Sequence, residues 1–261
     1  MASRVPFDIN IDGEILVTVA GRDTMSAAMK DAERYQRYTY HRIEPYLGDK
    51  VVDIGCAFGT YTAMILGNGG KVLAMDYDAE CIENCKSTLG SLNCEFFQGD
   101  ISSSLSLERI AAFKPDTIVM LQVLEHIRED GELLRGLFRV MPAGGRLIVT
   151  VPAFPSLYGP MDSQAGHYRR YTRHSLRSAA TESGWVVEKI SYYNPIGGAG
   201  WWINNRLLKR WTNLNAGHVN IQISLFDKLI LPLSSCLDRF TGRVFGQSLQ
   251  MVASRPKTGE P

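Results

Sequence analysis

The chain has 261 residues, of which 45% are hydrophobic and 21% charged, a balance typical of one elaborated globular domain. Its 28 basic and 27 acidic residues leave a net charge of +1, which does not favour a nucleic-acid partner. No apolar run reaches the roughly 18 residues of a membrane span, and the N-terminal residues lack the apolar core of a signal peptide. The five cysteines show no disulfide spacing, so we expect a reducing, cytoplasmic location.

Three of the cysteines lie close together in the sequence. Cys81 and Cys85 are one helical turn apart, and Cys94 begins a predicted strand. They could hold a metal ion, but small buried hydrophobic side chains explain this spacing better. We therefore predict no metal site.

The first 45 residues are expected to form an N-terminal helical lid. Residues 33–41 are compatible with a helix and carry several tyrosines, Tyr35 among them. Aromatic faces attract cations, so these rings could cover a positively charged ligand. Plain packing against the edge of a sheet is the alternative.

Residues 51–60 join an apolar run to a small-residue turn and then to a helical pattern. This order is typical of a buried parallel strand followed by a helix. Gly55 and Gly59 let the backbone approach a ligand closely, and the first N–H groups of the helix attract a carboxylate or phosphate. We expect Asp53 to contact the ligand or to support the turn.

Strand and helix patterns alternate as far as residue 151, as in a parallel sheet built from βαβ units. We predict strands over 51–54, 71–75, 95–97, 116–121 and 146–151, and helices over 60–66, 79–89, 105–113 and 129–139. Polar residues lie at the carboxyl ends of the first four strands: Asp53, Asp76, Asp100, Gln122, Glu125 and His126. Ligands of such sheets bind at that edge, where an acid after the second strand suits ribose hydroxyls. The pattern predicts a nucleoside-bearing cofactor.

Two cofactors compete for this site, a dinucleotide and S-adenosylmethionine. The dinucleotide fingerprint G-x-G-x-x-G is broken between Gly55 and Gly59, where Ala57 stands. Asp100 also has no role with a dinucleotide, whereas it could accept a hydrogen bond from an adenine amine. The residues therefore favour S-adenosylmethionine.

The whole set resembles the class I S-adenosylmethionine-dependent methyltransferases over residues 46–151, including Glu125-His126-Ile127 and Pro142-Ala143-Gly144-Gly145. The resemblance implies an α/β, Rossmann-like, doubly wound sheet of seven strands, mostly parallel with one antiparallel strand. It also implies S-adenosyl-L-methionine as cofactor. The residues that it assigns to the cofactor are Asp53, Gly55, Cys56, Ala57, Gly59, Asp76, Tyr77, Gly99, Asp100, Ile101, Leu121 and Gln122, and we add Tyr35 from the lid. Ala57 departs from the family, where many members carry a second glycine, so we expect a slightly altered fit.

The long connection over residues 152–172 is rich in Pro, Gly and Tyr and is expected to bind the acceptor substrate. Arg169 and Arg170 could clamp a substrate carboxylate, or could pair with the protein's own acids. The predicted substrate-binding residues are Tyr158, Tyr168, Arg169, Tyr171, Tyr193 and Trp201. His167 is our first candidate for a general base and His126 the second, although His126 could instead close the adenosine pocket.

Residues 152–261 are expected to complete the sheet and to add a helical insert. We predict a helix capped by Thr172, a strand over 185–192 and a strand over 248–253 that returns antiparallel beside it. Helices are predicted over 203–211 and 225–240. The second is amphipathic and could pack on the sheet or on the second subunit of a homodimer; its polar face lacks the basic cluster of a membrane-surface helix.

The function predicted from these patterns is methyl transfer from S-adenosylmethionine to a small molecule. A lyase or cyclase that consumes the same cofactor would use the same pocket, and would release methylthioadenosine rather than S-adenosylhomocysteine. A protein that binds the cofactor without turnover is a third hypothesis. A protein acceptor stays open.

Overall fold

The computed structural model describes residues 32–90, 92–200, 227 and 230–257, together with the backbone of a small hairpin formed by Asp8–Ile9 and Ile15–Leu16. Its main sheet has seven strands: β1 (Lys50–Ile54), β2 (Lys71–Asp76), β3 (Cys94–Gln98), β4 (Thr117–Leu121), β5 (Arg146–Pro152), β6 (Val186–Tyr193) and β7 (Ser248–Ser254). The spatial order is β3-β2-β1-β4-β5-β7-β6. Within this sheet β7 runs antiparallel to both of its neighbours, β5 and β6, and the remaining adjacent strands are parallel. The predicted mostly parallel sheet with one antiparallel strand is confirmed.

The helices follow the predicted alternation. They are α1 (Glu33–Ile43), α2 (Thr60–Gly67), α3 (Ala79–Leu89), α4 (Ser104–Phe113), α5 (Asp130–Val140), α6 (Pro160–Gln164), α7 (Arg173–Glu182) and α8 (Leu231–Thr241). Short 3-10 turns occupy Glu44–Tyr46, Leu124–His126 and Pro155–Leu157. Among the described residues, no helix combines the length and apolar character needed to cross a membrane.

Both faces of the sheet are buried, which explains why its strands read as continuous apolar runs. Val52 and Ile54 point into a cluster that includes residues of α4, α5 and α7. Val51 points to the opposite face, into a cluster with residues of α1 and α2. Successive side chains of a strand alternate between faces, so a strand covered on both sides needs apolar residues at every position. This is the doubly wound arrangement.

Helix α1 is fastened to the C-terminal part of the chain. Arg42 forms an ion pair with Asp238 of α8 at 2.9 Å, and the backbone carbonyl of Arg42 accepts a hydrogen bond from Gln250 of β7 at 2.8 Å. The Tyr38 hydroxyl donates to the same Asp238 carboxylate. The first described helix and the last therefore share one side of the molecule.

The C-terminal predictions have mixed outcomes. Thr172 caps α7 as predicted, because its hydroxyl accepts the backbone N–H of Ser175 at 3.0 Å. The helix predicted over 225–240 appears as α8, with a π-helical conformation at Asp227 and Ile230. The helix predicted over 203–211 and the side chain of Trp201 lie outside the described residues.

Candidate active site

The turn between β1 and α2 is built on left-handed backbone conformations. The φ angles are 74° at Gly55, 47° at Ala57 and 79° at Gly59. A Cβ atom at Gly55 would overlap Cγ2 of Val123, so only glycine fits there. Ala57 holds a conformation that costs a side chain about 1–2 kcal/mol. The two predicted glycines are thus required, and the alanine between them is strained.

Asp53 supports this turn through a hydrogen bond to the helix that follows it. Its side chain is 3% exposed, and Oδ2 accepts a hydrogen bond from the Thr62 hydroxyl at 2.6 Å. Burial raises the pKa of Asp53 to about 6, the Thr62 hydrogen bond lowers it in part, and the neighbouring Asp76 charge adds to the rise. The carboxyl group thus ties the end of β1 to the first turn of α2.

Asp76 joins the end of β2 to the same turn. Its Oδ2 accepts the backbone N–H of Ala57 at 2.9 Å, and its Oδ1 accepts that of Asp78 at 3.0 Å. Both bonds place this carboxylate at the end of β2, where an acid suits the ribose hydroxyls of a nucleoside cofactor. Tyr77 follows with its side chain 54% exposed at the mouth of the site.

The residues predicted to hold the adenine follow β3. The backbone N–H of Gly99 donates to the Asp76 carbonyl at 2.9 Å, which brings the two strand ends together. Asp100 is exposed, and its Oδ1 accepts the backbone N–H of Ser102 at 2.8 Å. Ile101 is 8% exposed and belongs to the core. Asp100 therefore shapes its own turn and still presents a carboxylate to solvent.

The end of β4 completes this edge. Gln122 has a φ of 58°, and its backbone N–H donates to the Thr150 carbonyl at 2.9 Å. Leu121 lies just before it and is half-buried. Through Val123, this segment touches Gly55 of the first turn. The described contacts thus connect the predicted cofactor residues of four strands along one edge of the sheet.

A buried carboxylate follows immediately. Glu125 lies in the turn Leu124–His126 and is 0% exposed. Within the described part of the chain, neither of its carboxylate oxygens has a hydrogen-bond partner. Burial raises the pKa of Glu125 to about 8. The rings of His126 and His167 lie beside it, with centroids 4.7 Å apart and planes at 83°.

The connection over residues 152–172 folds around Asp162. This side chain is fully buried and accepts hydrogen bonds from His167 Nδ1 at 3.0 Å and Arg170 Nε at 2.8 Å. Although burial alone would raise it, these two bonds hold the pKa of Asp162 below its usual range. A backbone bridge between Ala153 and Tyr171 closes the connection at its base.

The predicted substrate-binding residues have different surroundings. Tyr158 and Tyr168 are 42% and 56% exposed, and the Tyr158 hydroxyl donates to the His167 carbonyl at 2.8 Å. Arg169 pairs with Asp130 at 2.9 Å, as the acid-pairing alternative anticipated. Tyr171 is 2% exposed and donates to the same Asp130 at 2.7 Å. In the described structure, Tyr171 and Arg169 therefore both bind Asp130 and form part of the wall of the site.

An aromatic cluster lies where α1 crosses the carboxyl end of the sheet. The rings of Tyr35 and Tyr38 are 6.1 Å apart, and those of Tyr38 and Tyr193 are 5.9 Å apart. The Arg42 guanidinium lies 4.7 Å from the Tyr193 ring centroid. Burial raises the pKa of Tyr35 well above its usual range, and neighbouring tyrosines raise it further. Tyr193 is 1% exposed and pairs in register with Ser248 of β7.

One participant was missed from the sequence. Asp162 forms a buried pair with Arg170, whose pairing with an acid was one of the two alternatives above, but no short motif marks Asp162. The available signal was a single acid ahead of the run Gly166-His167-Tyr168-Arg169-Arg170, which needs a counter-charge if it is buried. Of the cysteines weighed for a metal site, Cys81 and Cys85 are buried and Cys94 is half-buried.

Comparison with known proteins agrees with this geometry. A family model described as a methyltransferase domain matches residues 27–190. A solved structure, the phosphoethanolamine N-methyltransferase 2 of Haemonchus contortus in complex with S-adenosyl-L-methionine, has a TM-score of 0.60 at 13% identity. The match covers 94% of this chain and 62% of the Haemonchus contortus chain. At that identity the likeness concerns the fold.

Relatives that match in sequence include the following three. A tRNA U34 carboxymethyltransferase of Hydrogenovibrio crunogenus is 26% identical over 63% of this chain and 52% of its own length. A ubiquinone biosynthesis O-methyltransferase of Caulobacter is 26% identical over 40% and 41%. A probable S-adenosylmethionine-dependent methyltransferase of Mycobacterium tuberculosis is 25% identical over 66% and 62%. The chain spans about half the length of these relatives.

The glycine turn, the acids after β2 and β3 and the sheet order fit S-adenosylmethionine. In particular, Gly55 has no space for a side chain, and Asp76 accepts the backbone N–H of Ala57 in the same turn. Together with the match over residues 27–190, these features show that the chain belongs to the methyltransferase domain family.

Proposed function

We propose that the chain methylates a small-molecule acceptor bound beneath the connection over residues 152–172. The observation that carries this proposal is the Asp162 network, which holds His167 beside Glu125 and His126, directly after β4. Acceptor-facing groups thus adjoin the strand end expected to meet the methionyl amine. Short, buried bonds fix the loop before any ligand arrives.

On the cofactor side, the roles follow from the contacts described. The turn from Gly55 to Gly59 would receive the methionyl group, Asp76 the ribose hydroxyls and Asp100 the adenine amine. The cofactor supplies a methyl group already activated on a positively charged sulfur. The protein's contribution is then position and exclusion of water, which can supply about 7–11 kcal/mol of the barrier.

The tyrosines of α1 support a lid role for residues 1–45. Tyr35 lies in an aromatic cluster with Tyr38 and Tyr193, and such faces stabilise a nearby sulfonium. We propose the same division as the sequence suggested: a lid over 1–45, a cofactor core over 46–151 and an acceptor part over 152–261. The aromatic rings would then close the pocket from the side opposite His167.

His167 is the proposed general base for an acceptor that must lose a proton. Because Nδ1 is held by Asp162, Nε2 would receive that proton. We expect His167→Ala to lose turnover and retain cofactor binding, while His174→Ala, a matched change on exposed α7, keeps both. Unchanged turnover of His167→Ala would exclude this role.

A small acceptor is favoured over nucleic acid by charge. The net charge of +1 gives the chain no strong overall attraction for phosphates, although one relative is named for tRNA. We also propose a cytoplasmic location and a homodimer. The dimer proposal rests on exposed apolar residues, Leu233 and Phe240 of α8 and Val244 in the turn that follows it. Light scattering at several concentrations tests it.

The decisive experiment incubates the purified chain with S-adenosylmethionine, first alone and then with a panel of small acceptors. Mass spectrometry identifies the nucleoside product. S-adenosylhomocysteine that appears only with an acceptor supports the proposal. Methylthioadenosine formed without acceptor would replace it with lyase or cyclase chemistry, and binding without any product would favour a binding protein. Methylated tRNA as the sole product would overturn the small-molecule acceptor.

A further inference from the structure

Glu125, His126 and His167 bring three metal-binding side chains together from two segments of the chain. One ligand atom of each lies within 4.8 Å of the others. Glu125 and His126 follow β4, and His167 comes from the connection after α6. His126 and His167 are separated by about forty residues in the sequence, so no short motif reveals this cluster.

The carboxylate of Glu125 needs an explanation. It is 0% exposed, and neither oxygen has a hydrogen-bond partner among the described residues. A buried carboxylate without partners is costly, and such a group commonly marks an ion or water that completes the site. Here a ring nitrogen of each imidazole lies within 4.8 Å of a Glu125 carboxylate oxygen.

His167 is held in the way that metal ligands are held. Its Nδ1 is bonded to the Asp162 carboxylate at 3.0 Å. A histidine ligand almost always has its second ring nitrogen fixed by a carboxylate or carbonyl group. Nε2 of His167 is thus the nitrogen left for a ligand.

The local charge suits a divalent cation. Glu125 and Asp162 are two acids close to one buried base, Arg170, which pairs with Asp162 at 2.8 Å. With neutral imidazoles, and with Glu125 deprotonated by the cation that it binds, this group carries a net charge of −1. His126 is exposed, so a cation there would keep coordination positions open toward the solvent side.

We propose that Glu125, His126 and His167 bind one divalent transition-metal cation. Two imidazoles and one carboxylate with open positions form a ligand set used by Zn²⁺ and Fe²⁺. Its role rests on the proposed function: an acceptor hydroxyl would occupy an open position, and its lowered pKa would release the proton to water. The new oxygen–carbon bond then replaces the sulfur–carbon bond and leaves S-adenosylhomocysteine. With a metal bound, this route keeps the proposed methyl transfer and takes the place of the general-base role of His167.

Cobalt titration tests the site without turnover. The EDTA-treated full chain is titrated with CoCl₂ and followed by visible absorption. We expect one Co²⁺ per chain, at least tenfold weaker binding in Glu125→Gln, His126→Ala and His167→Ala, and unchanged binding in the matched control His174→Ala. Asp162→Asn is expected to weaken binding about 10–100-fold through the orientation of His167.

A competing site is available at Cys56 and Cys85, whose sulfurs are 4.0 Å apart. Thiolate ligation would add an intense near-ultraviolet charge-transfer band and would be lost in Cys85→Ser. Binding of that kind, no binding at millimolar Co²⁺, or unchanged affinity in all three site variants would each overturn the proposal. Thermal melting and S-adenosylmethionine binding report whether each variant folds. Metal binding without methyl transfer would leave the site standing while the proposed function fails.

Discussion

The cofactor edge and the acceptor side of this site differ in how their acids are used. Asp53, Asp76 and Asp100 each accept a hydrogen bond from the protein itself, from Thr62, Ala57 and Ser102 respectively. On the acceptor side, Asp162 is saturated but its neighbour Glu125 has no hydrogen-bond partner within the described chain. The first region is complete before binding, whereas the second contains one group that awaits a partner.

Removal of Asp162 is expected to have the largest effect and tests whether the two regions are separate. In Asp162→Ala, the buried Arg170 loses its carboxylate, and we expect the free energy of unfolding to fall by about 3–5 kcal/mol. The control Glu188→Ala removes an acid from an exposed pair with Arg146 and should cost at most about 1 kcal/mol. Urea denaturation measures both. If the two regions are separate, the folded variant still binds S-adenosylmethionine; loss of that binding would show that they act as one unit.

A second substitution attacks the cofactor edge. Gly55→Ala combines a positive φ with overlap on Val123, whereas Gly69→Ala has a φ of 87° and nothing within 4 Å of the new Cβ. Both substitutions destabilise the fold by about 1–2 kcal/mol through backbone strain. Only Gly55→Ala destabilises it by about 1–3 kcal/mol more, because the new methyl group overlaps Val123. Calorimetry should show loss of S-adenosylmethionine binding for Gly55→Ala alone. Equal binding by both variants would contradict a closely fitted turn.

The pH dependence of stability sharpens the role of Asp53. Its pKa is raised to about 6 in the folded chain, so the folded state holds more protons than the unfolded state between about pH 4 and 6. The stability that Asp53 contributes is therefore full in acid and is lost as the pH rises through 6, up to about 3 kcal/mol. The measurement is the difference in unfolding free energy between wild type and Asp53→Asn, from pH 4 to 7. A flat difference would refute the shift.

The smallest effect is expected at Ala57. Its φ of 47° favours glycine, so Ala57→Gly should relieve strain and raise the unfolding free energy by about 0.5–1 kcal/mol, after the entropic cost of glycine. Thermal melting detects this, with Ala63→Gly within α2 as the opposite control, expected to destabilise. A decrease for Ala57→Gly would mean that this part of the turn is not strained.

The sequence predicted the cofactor edge well because that edge depends on local patterns. Each strand from β1 to β5 ends within about a residue or two of its predicted position, and Gly55 marks a turn that only glycine can form. The acceptor side depends on contacts between distant segments. Nothing near Asp162 in the sequence shows that it faces Arg170 rather than solvent, and the attachment of Arg42 to Asp238 joins residues 196 apart.

The bridge between Ala153 and Tyr171 affects the entropy change when a ligand binds at this connection. Backbone bonds from Phe154 to Tyr171 and from Tyr171 to Pro152 accompany it, at 2.8 and 2.9 Å. The conformational entropy of closing this eighteen-residue loop is therefore lost once, when the chain folds, and not each time a ligand binds. Under the proposed function, an arriving acceptor would meet a loop that is already closed, and its own contacts would remain available for alignment with the methyl group.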